Sequence, residues 1–253
     1  MGDLSGRVAL ITGGGQGVGQ GIALALVAAG ARVAISGRTA AKLEETCRLI
    51  AERGGQALAV RGNVKDPREL PAMVEQVAAW GGGVDILVNN AQEVPAGRLL
   101  EVSDEAFVAG FESGPLASFR LMKLVYPHMV AQGGGVIFNL VSSAAARWDM
   151  TGYGAYGAVK QAMRVLTRAA AAEWGREGIR VLAIAPHAES PGLKRWIAHN
   201  PDEAEAFFRA IPLGRVGRLE EDIGRAVVAL CGPELGYLTG ATIPLDGGQA
   251  NFG

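Results

Sequence analysis

The sequence has 253 residues, of which 24 are basic and 25 acidic, so its formal net charge is −1. Apolar residues make up 49% of the chain, which is enough for a packed core and excludes a wholly disordered chain. The near-neutral charge gives no long-range field for binding nucleic acid or an anionic membrane. Two cysteines, Cys47 and Cys231, are too few for a disulfide framework, and we expect no metal site.

The sequence shows no long apolar segment. Asp3 and Arg7 interrupt the first residues, and no run of 18 apolar residues occurs without a charge or a glycine. We therefore expect no signal peptide, no membrane span and a cytoplasmic location.

Short apolar runs alternate along the chain with longer segments of helical period. Strands are predicted at residues 8–12, 32–36, 57–61, 84–89, 136–141, 179–185 and 241–245. Helices are predicted at residues 17–29, 40–53, 67–80, 104–131, 154–174 and 220–230. Continuously apolar strands joined by helical crossovers indicate an α/β fold, with a parallel sheet covered by helices on both faces. We predict a doubly wound sheet of about seven strands in one domain, residues 1–253.

One connection interrupts this alternation. Residues 186–212 form a long segment that carries three large aromatic side chains, Trp196, Phe207 and Phe208. Connections of this length are usually lids or binding loops. We predict a lid over an apolar substrate.

A glycine cluster follows the first predicted strand, in the sequence TGGGQGVG at residues 12–19. Glycines at 13, 17 and 19 allow a tight turn, close approach of a pyrophosphate and close packing of helix on strand. The N-terminus of the next helix then faces the phosphates. The cluster predicts a dinucleotide site; the alternative is a turn of structural importance only.

The second predicted strand ends in Ser36, Gly37 and Arg38, with no acidic residue to accept the ribose hydroxyls of an adenosine. The planar guanidinium of Arg38 suits a 2′-phosphate. This favours NADP(H) over NAD(H), although Arg38 could also be a solvated residue at a helix start.

Tyr156 and Lys160 stand four residues apart on a predicted helix, which places phenol and ammonium on one face. Ser143 lies thirteen residues earlier, at the carboxyl end of a strand, where ligands of doubly wound sheets bind. A nearby ammonium and an oxidised nicotinamide would both lower the pKa of the phenol from about 10. The alternative for Tyr156 is a packed tyrosine with no chemical role.

Together these motifs resemble the short-chain dehydrogenase/reductase family, in the branch whose chains have about this length. The resemblance spans the whole sequence and includes Asn89, Asn90 and Ala91 after the fourth strand and the segment 246–248, Asp-Gly-Gly. It implies a Rossmann-type sheet and a subunit of a homotetramer or homodimer.

The resemblance also implies roles for the site residues. Tyr156 would exchange a proton with the carbonyl or alcohol oxygen, and Ser143 would orient that oxygen. Lys160 would bind the nicotinamide ribose and lower the pKa of Tyr156. The residues implied to contact the cofactor are Thr12, Gly13, Gln16, Gly17, Val18, Gly19, Arg38, Asn63, Val64, Asn90, Ala91, Tyr156, Lys160 and Pro186.

The chain departs from the family pattern where a fourth catalytic residue, an Asn, is usual. Gly114 stands there. In the family this Asn stabilises a helix irregularity whose free carbonyl holds a relay water. Pro115 lacks an N–H and could produce an irregularity by another route. We expect a slowed or altered proton relay, with participation of Ser113 or a substrate group as the alternative.

Two further departures concern the substrate side. Gln92 stands where the family usually has a glycine, which implies a changed loop path or an extra polar contact. His187, directly after Pro186, also stands where a glycine is usual. His187 would contact substrate or act as an acid or base; the alternative is a residue that only fills space. The substrate-contacting residues predicted are Gln92, Ser143, His187 and Trp196.

These observations favour an NADPH-dependent oxidoreductase that reduces a ketone, or oxidises the alcohol, with a mostly apolar substrate such as a cyclic ketone, polyketide or acyl thioester. Gly114, Gln92 and His187 motivate one alternative: the same fold with imine or enone reduction, dehydration or epimerisation. A second alternative is an NADP(H)-binding sensor or interaction protein.

Overall fold

The computed structural model describes residues 3–147 and 151–252. In this part of the chain seven parallel strands form one sheet in the order β3-β2-β1-β4-β5-β6-β7. The strands are β1 (Val8–Thr12), β2 (Arg32–Gly37), β3 (Ala57–Arg61), β4 (Ile86–Asn89), β5 (Gly135–Leu140), β6 (Ile179–Pro186) and β7 (Thr242–Leu245). The order reverses between β1 and β4, and such a reversal opens a crevice at the carboxyl ends of the strands. The predicted doubly wound α/β sheet is confirmed.

Helices cover both faces of the sheet. They are α1 (Gly17–Ala28), α2 (Ala40–Glu52), α3 (Glu69–Gly81), α4 (Asp104–Phe111), α5 (Ala117–Ala131), α6 (Gly154–Trp174), α7 (Pro191–His199), α8 (Pro201–Arg209) and α9 (Arg225–Cys231). Successive strand residues point to opposite faces. Accordingly Ile11 packs into the core with α1, α2 and α9, whereas Leu10 packs into the core with α3, α5 and α6.

The predicted helix at 104–131 is interrupted by a π-helical turn, Glu112–Leu116, between α4 and α5. Pro115 lies inside this turn. Its ring removes an N–H and clashes with the preceding turn, so the helix widens locally. The irregularity predicted at Gly114 and Pro115 is therefore present.

The long connection at 186–212 is more regular than its sequence indicates, because it contains the two helices α7 and α8. Pro191 and Pro201 each begin a helix, where a missing N–H costs nothing. The Ser190 hydroxyl accepts from Leu193 N at 3.2 Å and caps α7. The predicted helix at 220–230 likewise divides into a π-helical turn, Leu219–Gly224, and α9.

No helix within residues 3–147 and 151–252 is both long enough and apolar enough to cross a bilayer. The same described residues contain no group of three or more His, Cys, Asp or Glu side chains able to hold a metal ion.

Candidate active site

A cleft of about 580 Å³ opens at the carboxyl ends of β1, β2 and β4. Nine residues predicted to contact a cofactor line it: Gly13, Gln16, Gly17, Val18, Arg38, Asn63, Val64, Asn90 and Ala91. Further lining residues that the sequence did not reveal are Lys42, Lys65, Glu93, Ser190 and Arg195. Ser113, the alternative participant in the proton relay, also lines the cleft. The topological reversal of the sheet thus brings the predicted nucleotide motifs into one cavity.

One end of the cleft has the features of a phosphate site. Helix α1 begins at Gly17, whose φ of +59° suits glycine, and no acidic residue occupies its first turn. The side chain of Gln16 makes no capping bond to this helix; its Oε1 accepts from Lys42 Nζ at 2.7 Å. The first N–H groups of α1 and its positive dipole end are therefore available to an anion, and the site fits a pyrophosphate.

Thr12 and Asn90 form the floor beneath this end. Thr12 Oγ1 accepts from the backbone N–H of Asn90 and of Ala91, both at 3.0 Å. Asn90 Nδ2 donates to the carbonyls of Thr12 and Gly13, at 2.8 and 3.1 Å. A Cβ at Gly19 would lie 2.6 Å from Asn90 Nδ2, so only glycine permits this packing. Thr12 and Gly19 therefore shape the cleft from below.

Charged side chains also line the cleft. Arg38 Nη1 lies 2.9 Å from Glu93 Oε1, and Lys65 Nζ lies 3.2 Å from Glu93 Oε2. Four of the lining residues are basic and one is acidic: Arg38, Lys42, Lys65, Arg195 and Glu93. This excess of cations suits a ligand with more than one phosphate.

Lys160 is buried in α6, with 2% of its surface exposed. Its Nζ donates to the carbonyl of Leu140 at 2.7 Å and to Gln92 Oε1 at 3.0 Å. The same nitrogen lies 5.3 Å from the centre of the Tyr156 ring. Burial lowers the pKa of Lys160 to about 7.

Tyr156 occupies the neighbouring turn of α6 and is partly exposed. Burial of its hydroxyl raises its pKa above the ordinary value, a hydrogen bond from Ser142 opposes that rise, and Tyr153 adds to it. The rings of Tyr153 and Tyr156 meet edge to face at 6.4 Å. The expected lowering of the Tyr156 pKa is therefore absent in the protein alone, because desolvation outweighs the other effects.

The hydroxyl that interacts with Tyr156 belongs to Ser142, which was not among the predicted site residues. Ser142 Oγ also accepts from Ala144 N at 3.3 Å. The predicted Ser143 is the first residue of a short 3₁₀ helix, Ser143–Ala145, and is half buried. The sequence offers two adjacent serines at this place, Ser142 and Ser143. The conformation of the local turn determines which of them faces Tyr156.

Comparison with known proteins agrees with this geometry. A family model described as Enoyl-(Acyl carrier protein) reductase matches residues 13–250. A 12alpha-hydroxysteroid dehydrogenase from Clostridium sp. is 37% identical, over 98% of this chain and 98% of the relative. The chain belongs to the short-chain dehydrogenase/reductase family.

Solved structures of this oxidoreductase family superpose closely on the chain. A 7 alpha-hydroxysteroid dehydrogenase in complex with NADH and 7-oxo glycochenodeoxycholic acid has a TM-score of 0.91 and 33% identity, covering 97% of this chain and 95% of the other. A variant of actinorhodin polyketide ketoreductase with NADPH has a TM-score of 0.91 and 30% identity, covering 97% and 98%.

The departures from the short-chain dehydrogenase/reductase pattern at 92 and 114 lie against each other. Gln92 Nε2 donates to the carbonyls of Glu93 and Gly110, at 2.7 and 2.9 Å, and to Ser113 Oγ at 3.2 Å. Ser113 Oγ itself accepts from Glu93 N at 2.9 Å. The extra polar contact expected of Gln92 is present, and it reaches the π-helical turn.

His187 follows Pro186 at the carboxyl end of β6. Its ring meets Phe207 of α8 edge to face at 5.1 Å, and Trp196 of α7 meets Phe207 at 5.7 Å. Its Nδ1 is buried and has no hydrogen-bond partner among the described residues. Burial lowers the pKa of His187, which favours the neutral imidazole. Thus His187 and Trp196 share an aromatic cluster, while neither lines the nucleotide cleft.

Proposed function

We propose that the protein is an NADPH-dependent oxidoreductase that reduces a ketone, or oxidises the corresponding alcohol. One observation carries the proposal: the buried Lys160 ammonium lies 5.3 Å from the Tyr156 ring, beside a cleft suited to a dinucleotide. In a family of oxidoreductases, this pair at the carboxyl edge of the sheet matches proton transfer at an oxygen. The experiment below distinguishes ketone reduction from imine or enone reduction, and both from dehydration, epimerisation or a sensor role, which would leave NADPH unoxidised.

A nicotinamide cofactor, when bound, supplies or accepts the hydride. The Tyr156 hydroxyl donates its proton to the substrate oxygen as the carbonyl π bond is broken, and it takes that proton back in the oxidative direction. Ser142 and Ser143 provide the hydroxyls that hold this oxygen and the phenol in line. Lys160 stabilises the phenolate that remains on Tyr156 after proton donation.

The charges of the cleft support a preference for NADPH over NADH. Arg38 and Lys65 both line the cleft, and they would hold the 2′-phosphate of NADPH there. Both cations interact with Glu93, so a carboxylate already occupies the position that suits a phosphate. The guanidinium fork of Arg38 matches phosphate geometry better than it matches ribose hydroxyls.

A mostly apolar substrate is the class that the aromatic cluster favours. Phe207 contacts both His187 and Trp196, and Phe208 lies 6.0 Å from it. Helices α7 and α8 would therefore act as a lid with an apolar inner surface. The relatives named as hydroxysteroid dehydrogenases and polyketide ketoreductase suggest a cyclic or polycyclic ketone.

The proposal includes a homotetramer or homodimer of single-domain subunits, residues 1–253, in the cytoplasm. Large apolar side chains are exposed along α4 to α6, and such a surface is typical of a subunit interface. They include Phe107, Val108, Leu116, Phe119, Val130 and Val165.

The decisive experiment follows NADPH oxidation at 340 nm with a panel of ketones, imines and enones, for the wild type and Tyr156→Phe. The proposal expects ketone turnover and at least about a hundredfold loss in the variant. Tyr237→Phe, at a fully exposed tyrosine, is the matched control. Ketone turnover retained by Tyr156→Phe would contradict the assigned acid. Tight NADPH binding with turnover of imines or enones only would select altered reductive chemistry, and binding with no NADPH oxidation would select dehydration, epimerisation or a sensor.

A further inference from the structure

Gln92 and Gly114 are two of the departures from the family pattern. The Gln92 side chain fills the space that a side chain at position 114 would need. A Cβ built on Gly114 would lie only 2.4 Å from Gln92 Oε1 and 3.1 Å from Gln92 Cδ. No pair of non-bonded atoms tolerates the shorter distance. A side chain at 114 would therefore displace the Gln92 amide from the position that it occupies here.

The amide group of Gln92 is held from the other side as well. Its Nε2 has three acceptors, the carbonyls of Glu93 and Gly110 and the hydroxyl of Ser113. Pro115 lies five residues after Gly110, the spacing of a π-helical hydrogen bond, and its ring nitrogen has no hydrogen. The Gly110 carbonyl therefore retains acceptor capacity for the amide. With Nε2 engaged in this way, Oε1 faces Lys160.

Among the described residues, Gln92 provides one of two oxygen acceptors for the Lys160 ammonium, which has three N–H donors. The other oxygen is the Leu140 carbonyl from β5, and Met163 Sδ lies 3.7 Å away as a weak acceptor. Tyr156 is the titratable group that faces Lys160 on α6, and Gln92 faces it from the loop after β4. The adjacent carboxylate, Glu93, interacts with Arg38 and Lys65 instead.

We propose that Gln92 is a positioning residue, which fixes Lys160 beside Tyr156 through a direct amide contact, and that Gly114 and the π-helical turn provide the space for its side chain. The inference rests on the proposed function for its effect on catalysis. The contact between Gln92 and Gly114 is testable without cofactor or substrate.

The first test is a double-mutant cycle on thermal unfolding of the protein alone, with Gly114→Ala, Gln92→Ala and the double variant. Alanine in a helix is normally more stable than glycine, because it restricts the unfolded chain. With Gln92 present, Gly114→Ala forces the amide away and lowers the melting temperature. In the Gln92→Ala background, the same change lowers the melting temperature less, or not at all, because only the contact with Val159 remains.

Two controls isolate this coupling. A Cβ at 114 would also lie 3.0 Å from Val159 Cγ1, but this contact is the same in both backgrounds and cancels in the cycle. Gln76→Ala changes an exposed glutamine of α3, far from the site. Combined with Gly114→Ala, it should show no coupling.

The second test measures catalysis with Gln92→Met, which keeps the side-chain length and removes the acceptor. Loss of the acceptor disfavours the charged form of Lys160, and the phenolate of Tyr156 loses a neighbouring cation. The pH at which alcohol oxidation reaches half its maximum kcat/KM should therefore rise, and kcat should fall about tenfold with little change in KM. Gln92→Glu, whose carboxylate also accepts from the ammonium, should move that pH back toward or below the wild-type value.

The results separate the inference from the proposed function. The inference is overturned if the stability cycle is additive, or if the Gln92→Met enzyme has the pH profile of the wild type. If Tyr156→Phe is inactive in the same experiments, the proposed function still stands. A Tyr156→Phe enzyme with full turnover overturns the proposed function and the positioning role together. A non-additive cycle with a shifted profile supports the inference.

Discussion

Glu93 lines the cleft and pairs with Arg38, its Oε1 2.9 Å from the Arg38 Nη1. The other carboxylate oxygen lies 3.2 Å from Lys65 Nζ. The two residues that pair here are 55 positions apart in sequence, in the loops after β2 and β4. A carboxylate in this place competes with any phosphate group for the same two cations.

We predict that Glu93→Gln strengthens NADPH binding about twofold to fivefold and leaves NADH binding unchanged. The magnitude is modest because the pair is exposed to solvent, where ion pairs contribute little. Dissociation constants from cofactor fluorescence measure the effect. Glu75→Gln, at an exposed position of α3, is the matched control, and Arg38→Ala should weaken NADPH binding. Equal strengthening for both cofactors would show that Glu93 does not face a 2′-phosphate.

Substitutions of the two adjacent serines, Ser142 and Ser143, should have different effects on the pH dependence of alcohol oxidation. The hydrogen bond from Ser142 lowers the pKa of Tyr156. Ser142→Ala removes it, so alcohol oxidation, which needs the phenolate, should require a higher pH. Ser143→Ala should lower kcat/KM about a hundredfold at every pH if Ser143 orients the substrate oxygen. Each variant serves as the control for the other. If only Ser143→Ala shifted the pH dependence of alcohol oxidation, the roles assigned to Ser142 and Ser143 would have to be exchanged.

Much of the site could be predicted because it depends on local sequence and on strand order. Tyr156 and Lys160 share a helix face through their spacing alone, and the glycine turn at 12–19 follows a strand whose place in the sheet is fixed by its apolar run. Gly114 and Pro115 indicated an irregularity in the helix for the same reason, since the effect of proline on a helix is local, and the structure shows it to be a π-helical turn.

The remaining features depend on contacts between distant segments. The position of Glu93 depends on Arg38 and Lys65, and nothing in the residues next to it indicates this pairing. The sequence does not reveal helices α7 and α8, because Pro191 and Pro201 resemble interruptions although each starts a helix.

Phe207 should determine how well bulky substrates bind. It is the ring shared by His187, Trp196 and Phe208. Phe207→Ala removes a large apolar contact, and we predict an increase in KM of about tenfold for polycyclic ketones, greater than that for small ketones. Phe208→Ala, which leaves the contacts of Phe207 with His187 and Trp196, should have the smaller effect. Steady-state kinetics with matched melting temperatures provide the measurement, and equal effects from both variants would contradict a specific role for Phe207.

Lys160 should make the stability of the protein depend on pH. Its pKa is about 7 in the folded chain, because burial disfavours the ammonium, whereas an unfolded lysine has a pKa near 10.4. Between these values the unfolded state binds more protons, so the free energy of unfolding rises with pH. The penalty for burying the charge is fully present below pH 7 and is relieved as the pH increases.

Lys160→Met removes this dependence. From pH 7 to 9.5, the free energy of unfolding of the wild type should gain about 3 kcal/mol relative to the variant. Urea denaturation at constant protein concentration measures the difference, and the upper limit stays below the ordinary pKa of tyrosine so that Tyr156 does not contribute. Lys194→Met, at an exposed lysine of α7, should give a curve parallel to the wild type. Parallel curves for Lys160→Met as well would mean that Lys160 keeps its proton throughout this range, and that Gln92 and Leu140 stabilise its charge fully.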